Sequence, residues 1–333
     1  MMNKKYIEKL FINAVDSKIC IIGDVMLDRY MFGDVNRISP EAPVQVFDLR
    51  KVENKLGGSS NVCLNVKTLG ANPYLIGVIG DDEMGDLLKS TLIEQGQKTD
   101  GLIVDSNRPT TCKTRVISDS HHLIRIDSES KEDIDKKTEA RVIERMNAVI
   151  EDIDLIILQD YNKGVLTKPL IKKIIETANS KEKRVLVDPK FENFFEYKKS
   201  FVFKPNRKEI EDAFGRKSKS PEDLDDMVIS LLDRLNCKNV VLTLGENGMR
   251  IYQKIKGKVT IDSIKTRARK VADVSGAGDT VISTIAFCLA GGAEVHDAVY
   301  ISNIAAGIVV EEVGIVPIHK ENLFDQLKSE FKF

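Results

Sequence analysis

The chain has 333 residues, with 50 Lys and Arg against 51 Asp and Glu and a formal net charge of −1. Apolar residues at 42% and charged residues at 30% allow a sizeable core under a soluble surface, which excludes disorder for most of the chain. Near-neutral charge, no Trp and only 6% aromatic residues argue against nucleic acid or an anionic membrane as partner.

At the N-terminus, Lys4, Lys5, Glu8, Lys9, Asp16 and Lys18 leave no apolar core for a signal peptide. The longest uncharged stretch, 280–293, is too short to span a bilayer, so a cytoplasmic protein is expected. The five Cys include no Cys-x-x-Cys pair and fit reduced thiols packed as small hydrophobes. The four His show no zinc spacing, and the adjacent His121 and His122 would point to opposite faces of a strand.

Lys18–Gly23 (KICIIG), 74–79, 154–158 (DLIIL), 184–187 and 240–244 (VVLTL) are short, apolar and β-branched, as strands buried on both faces of a parallel sheet must be. Helical patterns alternate with them. Those at 61–69, 83–95 and 286–290 run into Gly70, Gly96 and Gly291, where a helix C-cap favours glycine. The segment 131–151 is polar and amphipathic, and Pro221–Leu235 opens on Pro and two acids. The alternation predicts an α/β fold with a doubly wound, mostly parallel sheet flanked by helices. Two segments break the rhythm, 29–53 and 103–127, the second around a polar turn at 118–121. Both predict hairpin strands of a small β-sheet lid inserted into one domain spanning 1–333.

Five constellations could carry chemistry. In Asp273-Val-Ser-Gly-Ala-Gly-Asp279-Thr280, Gly276 and Gly278 let a ligand approach the backbone and a helix opens next. Its free N–H groups would form an anion hole over Gly276, Ala277 and Gly278, with Asp279 placed to deprotonate a hydroxyl. The alternative is an ordinary strand-to-helix turn. Asn206 and Glu209 have the spacing of a capping box. Equally, Asn206 could contact phosphate while Glu209 orders water around Mg²⁺. Thr243, Gly245 and Gly248 mark a strand end that could seat a nucleotide or be a plain hairpin turn. No P-loop pattern G-x-x-x-x-G-K-[ST] and no G-x-G-x-x-G occur, which disfavours a P-loop enzyme and a dinucleotide redox enzyme. Asp24 and Asp28, with Gly58 and Asn61 after them, are groups suited to sugar hydroxyls, or to loop solvation and a helix cap. Asp188-Pro189-Lys190 and 160–164 put charge after two predicted strands.

Taken in order, GDVMLDRYMFGDVNRISPEAPV, LGGSSNV, DYNKG, DPK and DVSGAGDT resemble the ribokinase-like (PfkB) family of carbohydrate kinases over essentially the whole chain. Within it they look most like D-glycero-β-D-manno-heptose 7-phosphate kinases, often the first domain of a bifunctional kinase/adenylyltransferase. Ending at Phe333, the chain is expected to hold the kinase alone. The resemblance implies Asp279 as catalytic base with Gly276, Ala277 and Gly278 as anion hole, and ATP with Mg²⁺ near Asn206 and Glu209. It implies a nucleotide site at Thr243, Gly245, Gly248 and Asn303, and sugar contacts from Asp28, Gly58 and Asn61. Asp24, Arg37 and Lys190 fall in the same region, Lys190 and Arg37 as cationic partners of the distal phosphate.

The implied reaction is phosphorylation of the anomeric hydroxyl, feeding lipopolysaccharide-core precursors. A kinase for another sugar or sugar phosphate, fructose-like, or a catalytically silent sugar-binding regulator are the alternatives. The need for a monovalent cation stays open. Ser275 stands where the family commonly has Thr, and Ser59-Ser60 where this subfamily commonly has small apolar residues. A lid that cannot bury both faces alone implies a homodimer through the lids. An Asp at a helix N-terminus is expected to have a lowered pKa.

Overall fold

The computed structural model describes residues 2–119, 121–266, 272–312 and 314–331. In chain order, α1 (Lys4–Ala14), β1 (Lys18–Gly23), β2 (Val25–Ile38), β3 (Gln45–Gly58), α2 (Ser59–Thr68), β4 (Asn72–Ile79) and α3 (Glu83–Glu94) come first. Then follow β5 (Leu102–Val104), β6 (Cys112–Ser118), β7 (His121–Ser128), α4 (Lys136–Val149), β8 (Leu155–Gln159), α5 (Lys168–Ser180) and β9 (Arg184–Asp188). The last part holds β10 (Val202–Phe203), α6 (Arg207–Ala213), α7 (Pro221–Leu235), β11 (Asn239–Thr243), β12 (Met249–Ile255), β13 (Lys258–Ile264), α8 (Ala277–Ala290), α9 (Val295–Val309) and α10 (Lys320–Phe331).

Among the described residues a nine-stranded sheet runs β13-β12-β11-β10-β9-β8-β1-β4-β5. It is parallel from β11 to β5, with β12 and β13 added antiparallel at one edge. The apolar runs form its centre because side chains alternate between two helical layers. Ile19, Ile21, Leu155 and Ile157 pack with residues of α1, α2, α8, α9 and α10. Cys20, Ile22, Ile156 and Leu158 pack with residues of α4, α5 and α7 on the other face. All five cysteines are buried and free. No helix of the described residues is long and apolar enough to cross a membrane.

A second, four-stranded sheet runs β3-β2-β6-β7. β2 and β3 form one antiparallel hairpin and β6 and β7 another, joined by parallel pairing of β2 with β6. These strands extend past the predicted edge at 29–53, starting at Val25 and ending at Gly58. Ile103 is a correction: it sits in β5 at the edge of the large sheet, buried under α4. In the β6–β7 turn expected at 118–121, residue 120 lies outside the described residues.

Two helix ends also differ from expectation. α4 starts only at Lys136, because Asp135 accepts the Thr138 N–H and caps it there. At the end of α8, Gly291 keeps a right-handed conformation and Gly292, at φ +91°, makes the reversal.

Candidate active site

The ends of the parallel strands converge. Asp24 follows β1, Gln159 and Tyr161 lie at and after the end of β8, Asp188 ends β9, Lys204 and Asn206 follow β10, and Thr243 ends β11. Ligands of open α/β sheets bind at these carboxyl ends. A cavity of about 480 Å³ opens there, bounded by the turn before α8 and by α9.

Gly276 caps α8 in the left-handed region at φ +79°, a conformation that glycine reaches without strain. Asp279, third in the helix, is only 4% exposed. Its Oδ2 accepts from Asn61 Nδ2 at 2.7 Å, and its Oδ1 accepts from Tyr161 OH at 2.7 Å and Gln159 Nε2 at 3.1 Å. Burial raises its pKa from 3.8 to about 6, against the hydrogen bonds from Asn61 and Tyr161 and the charge of Lys204, and with help from the charge of Asp188. The expectation of a lowered pKa is thus reversed. Desolvation outweighs the field of the helix end.

Asp188 and Lys204 form a buried ion pair at 3.0 Å. A Cβ built on Gly278 would lie 3.6 Å from Lys204 Nζ and 3.8 Å from Asp188 Oδ2, so the pair faces the glycine turn. Asn206 and Glu209 do form the capping box: Glu209 N–H donates to Asn206 Oδ1 at 2.9 Å and Asn206 N–H to Glu209 Oε2 at 2.8 Å. Both residues also line the cavity. Lys190 donates to Glu209 Oε1 at 2.5 Å and lies 5.4 Å from the centre of the Tyr161 ring. Burial works against the Lys190 charge, but Asp188 and Glu209 outweigh it and hold its pKa above the ordinary lysine value.

The structure thus puts Lys190 on the Asn206–Glu209 side of the cavity. Thr243, Gly245 and Gly248 form the β11–β12 hairpin turn, the second of their two readings, and they also line the cavity. Asn303, on α9, also lines the cavity and donates to the Lys265 carbonyl at 2.7 Å.

On the lid side, Asp28 is buried and accepts from Arg115 Nη1 at 2.5 Å. Gly57 passes beside it, where a Cβ would meet Asp28 Oδ2, and a Cβ on Gly58 would come within 2.5 Å of the Asp24 carbonyl. Arg115 and Lys55 flank the Tyr30 ring, 5.2 and 5.5 Å from its centre. Lys55 Nζ reaches the Ile315 carbonyl at 3.4 Å, beside the Gly276 turn that Ile315 also touches.

Two predicted contacts are not assembled here. Asp24 is buried with both oxygens given to the N–H groups of Tyr161 (2.7 Å), Lys163 (3.1 Å) and Val165 (3.3 Å), so it holds a loop rather than facing a ligand. Arg37 lies exposed towards the end of the β2–β3 hairpin, 3.8 Å from Asp48, away from the cavity.

Sequence reasoning singled out neither Gln159, Tyr161, Lys204 nor Arg115 as site residues. The signal available for Gln159 and Tyr161 was their place after the predicted strand at 154–158, and for Lys204 its place after the apolar run 201–203. Arg115 had only its position on a lid strand.

A family model described as pfkB family carbohydrate kinase matches residues 16–320. The chain is 39% identical over 313 residues to the bifunctional protein HldE of Desulfatibacillum aliphaticivorans, covering 94% of this chain and 63% of that protein. It is 40% identical over 307 residues to the same-named protein of Helicobacter hepaticus, covering 92% and 63%. The chain therefore spans just under two thirds of the length of these curated relatives. Among solved structures it is similar to Arabidopsis thaliana ribokinase complexed with ribose and ATP, with TM-score 0.72 and 17% identity over 94% of this chain and 99% of that one. It is also similar to Escherichia coli phosphofructokinase-2 in complex with substrates and products, with TM-score 0.75 and 16% identity over 94% and 99%. At these identities the likeness is one of fold, and the fold is ribokinase-like.

Proposed function

We propose, for a chain that belongs to the pfkB family of carbohydrate kinases and so transfers phosphoryl groups to sugars, that the donor is ATP and the acceptor the anomeric hydroxyl of D-glycero-β-D-manno-heptose 7-phosphate. The observation that carries this reading is Asp279, a buried acid with its pKa raised to about 6, at the joint between the 480 Å³ cavity and Asn61 below the lid.

ATP lies in the cavity, its base and ribose against Thr243, Gly245, Gly248 and Asn303, and its phosphates towards Asn206, Lys190 and Lys204. The sugar lies under the lid against Asp28, Gly58 and Asn61. The anomeric oxygen attacks the γ-phosphorus, the bond from that phosphorus to the bridging oxygen breaks, and ADP leaves. The hydroxyl proton passes to Asp279. The N–H group of Gly278, in the first turn of α8, faces the charge on the transferred group, while that of Ala277 donates to the Val274 carbonyl at 3.3 Å.

The donor set also fits Mg²⁺. Each Glu209 oxygen accepts one hydrogen bond and keeps a second acceptor site for a metal-bound water. The ion would supply charge neutralisation between the phosphates. The product would enter the cytoplasmic supply of activated heptose for lipopolysaccharide core.

The test is a coupled ADP-release assay of the purified protein with ATP, Mg²⁺ and paired sugars, each with and without its terminal phosphate. Turnover is expected with heptose 7-phosphate and far less with the free heptose. Preference for an unphosphorylated sugar would overturn the substrate assignment.

A distal phosphate needs cations; Lys190 is paired with Glu209, and Arg37 lies away from the cavity. Lys55 and Arg115 take that role in this reading. Lys55 carries no carboxylate partner among the described residues, whereas Arg115 is held by Asp28. Lys55→Ala is expected to raise KM for the sugar phosphate by roughly 10-fold or more, as loss of a hydrogen bond to a charged group does, and to leave KM for ATP unchanged. Initial-rate kinetics over both substrates check it; equal effects on both would count against Lys55.

The reading also includes a homodimer. Ile38, Leu49, Leu123, Ile124 and Ile126 on the lid strands are 41–69% exposed, and β7 is exposed along its whole length. Two lids packed together would cover these side chains. Light scattering is expected to give twice the chain mass at micromolar concentration, and Ile124→Glu to shift it towards the monomer.

A further inference from the structure

The reading of Asp279 as base leaves one question of geometry, namely which carboxylate oxygen receives the proton. A carboxylate oxygen offers two acceptor sites. Oδ1 is filled by Tyr161 OH at 2.7 Å and Gln159 Nε2 at 3.1 Å, whereas Oδ2, among the described residues, holds only Asn61 Nδ2 at 2.7 Å.

Tyr161 is itself held firmly. Its N–H is bound by the buried Asp24, which also binds the N–H groups of Lys163 and Val165. Asp160 accepts from Tyr197 OH at 2.6 Å and from the Asn162 N–H at 2.8 Å. The turn needs Asn162 at φ +53° and Gly164 at φ +77°, and a Cβ on Gly164 would collide with the Glu132 carbonyl. The Tyr161 hydroxyl keeps its proton, since burial and then the charges of Asp279 and Asp188 hold its pKa well above the ordinary tyrosine value. It is a donor throughout the working range.

We infer that Tyr161 is a positioning residue for the kinase reaction: together with Gln159 it fills Oδ1 of Asp279, so that the one open acceptor site, on Oδ2, faces the sugar hydroxyl. Asp24, which looks like a substrate acid in the sequence, and Asp160 serve this purpose by fixing the turn that delivers Tyr161. The inference rests on Asp279 as base. The groups that set the titration of Asp279 are Asn61 from α2, Gln159 and Tyr161 from β8 and its turn, Asp188 from β9, Lys190 just after it, and Lys204 after β10.

Tyr161→Phe keeps the ring and removes only the donor. A donor to a carboxylate favours its charged form, so without it Asp279 binds its proton at higher pH. The activity of the base form falls as pH drops through that pKa. The acid limb of kcat against pH should therefore move upward by about one unit, with both KM values within about twofold of wild type. Gln159→Met, which removes the other donor to the same oxygen, should move the limb in the same direction and decides the matter if the Phe variant fails to fold.

The assay uses the full chain and whichever sugar the wild type phosphorylates best. A merely structural Tyr161 would lower the melting temperature and leave the limb in place, and an unmoved limb overturns the inference. Failure of the base assignment is read separately, from turnover by Asp279→Asn: an inactive Asn variant with an unmoved Phe limb sinks only the role of Tyr161.

Discussion

Asp279→Asn is expected to lower kcat by ~10²–10⁴-fold, the usual contribution of a general base, with little change in either KM. The two side chains are nearly isosteric, and Asn keeps an oxygen for Tyr161 and Gln159. The wild-type rate should fall as pH drops through about 6, where the buried carboxylate takes up its proton. Stability supplies an independent check, with a definite sign. The native carboxyl binds its proton more tightly than the unfolded one, so its contribution to stability is complete below the ordinary value of 3.8 and is lost as pH rises through about 6. The Asn variant has no such loss. Its melting temperature relative to wild type should therefore rise between pH 4 and pH 8. Near-normal turnover in a folded variant would remove Asp279 from the mechanism and leave the glycine turn as an ordinary helix start.

The strands at the centre of the large sheet were legible because burial on both faces leaves polar residues only at the ends of runs such as KICIIG and LIILQ. The lid hairpins were legible from their break in the alternation, but not the sheet to which Ile103 belongs. A three-residue strand has too little pattern to choose. Asp279, Asn206 and Glu209, which line the cavity, could be singled out because each sits in a local motif.

The residues around them were not found, because their contacts are distant in the chain. Tyr161 meets Asp279 across 118 positions, and Gln159 meets it across 120. The pKa of Asp279 failed for a related reason. The helix field is readable from a motif, whereas desolvation depends on everything packed around the group. Asp24 shows the reverse error. An acid at a strand end looks like a ligand contact, yet here three backbone N–H groups claim it.

Lys204→Met should be the most destabilising of these substitutions. It removes one partner of an ion pair whose side chains are 4% and 7% exposed, and stranding a buried charge costs about 3–5 kcal/mol. Gln159 still donates to Asp188 Oδ2 at 3.2 Å, which sets the loss towards the lower end of that range. Urea unfolding should show it as a lower midpoint with an unchanged slope. The double variant Asp188→Asn/Lys204→Met removes the stranded charge and should regain most of the stability, since a buried pair is often no better than neutral groups of similar size. Activity should not return with it. The ammonium group lies beside the Gly278 turn, where the transferred phosphoryl group sits in the proposed complex, and it is a fixed positive charge in a site shielded from water. A loss of ~10²–10³-fold in kcat is expected for both the single and the double variant, the range seen when one preorganised stabilising group is removed. The pair thus separates two roles that a single substitution confounds. If the double variant recovers turnover along with stability, Lys204 serves only to neutralise Asp188, and the charge facing the phosphoryl group must come from Lys190 and the N–H groups of α8.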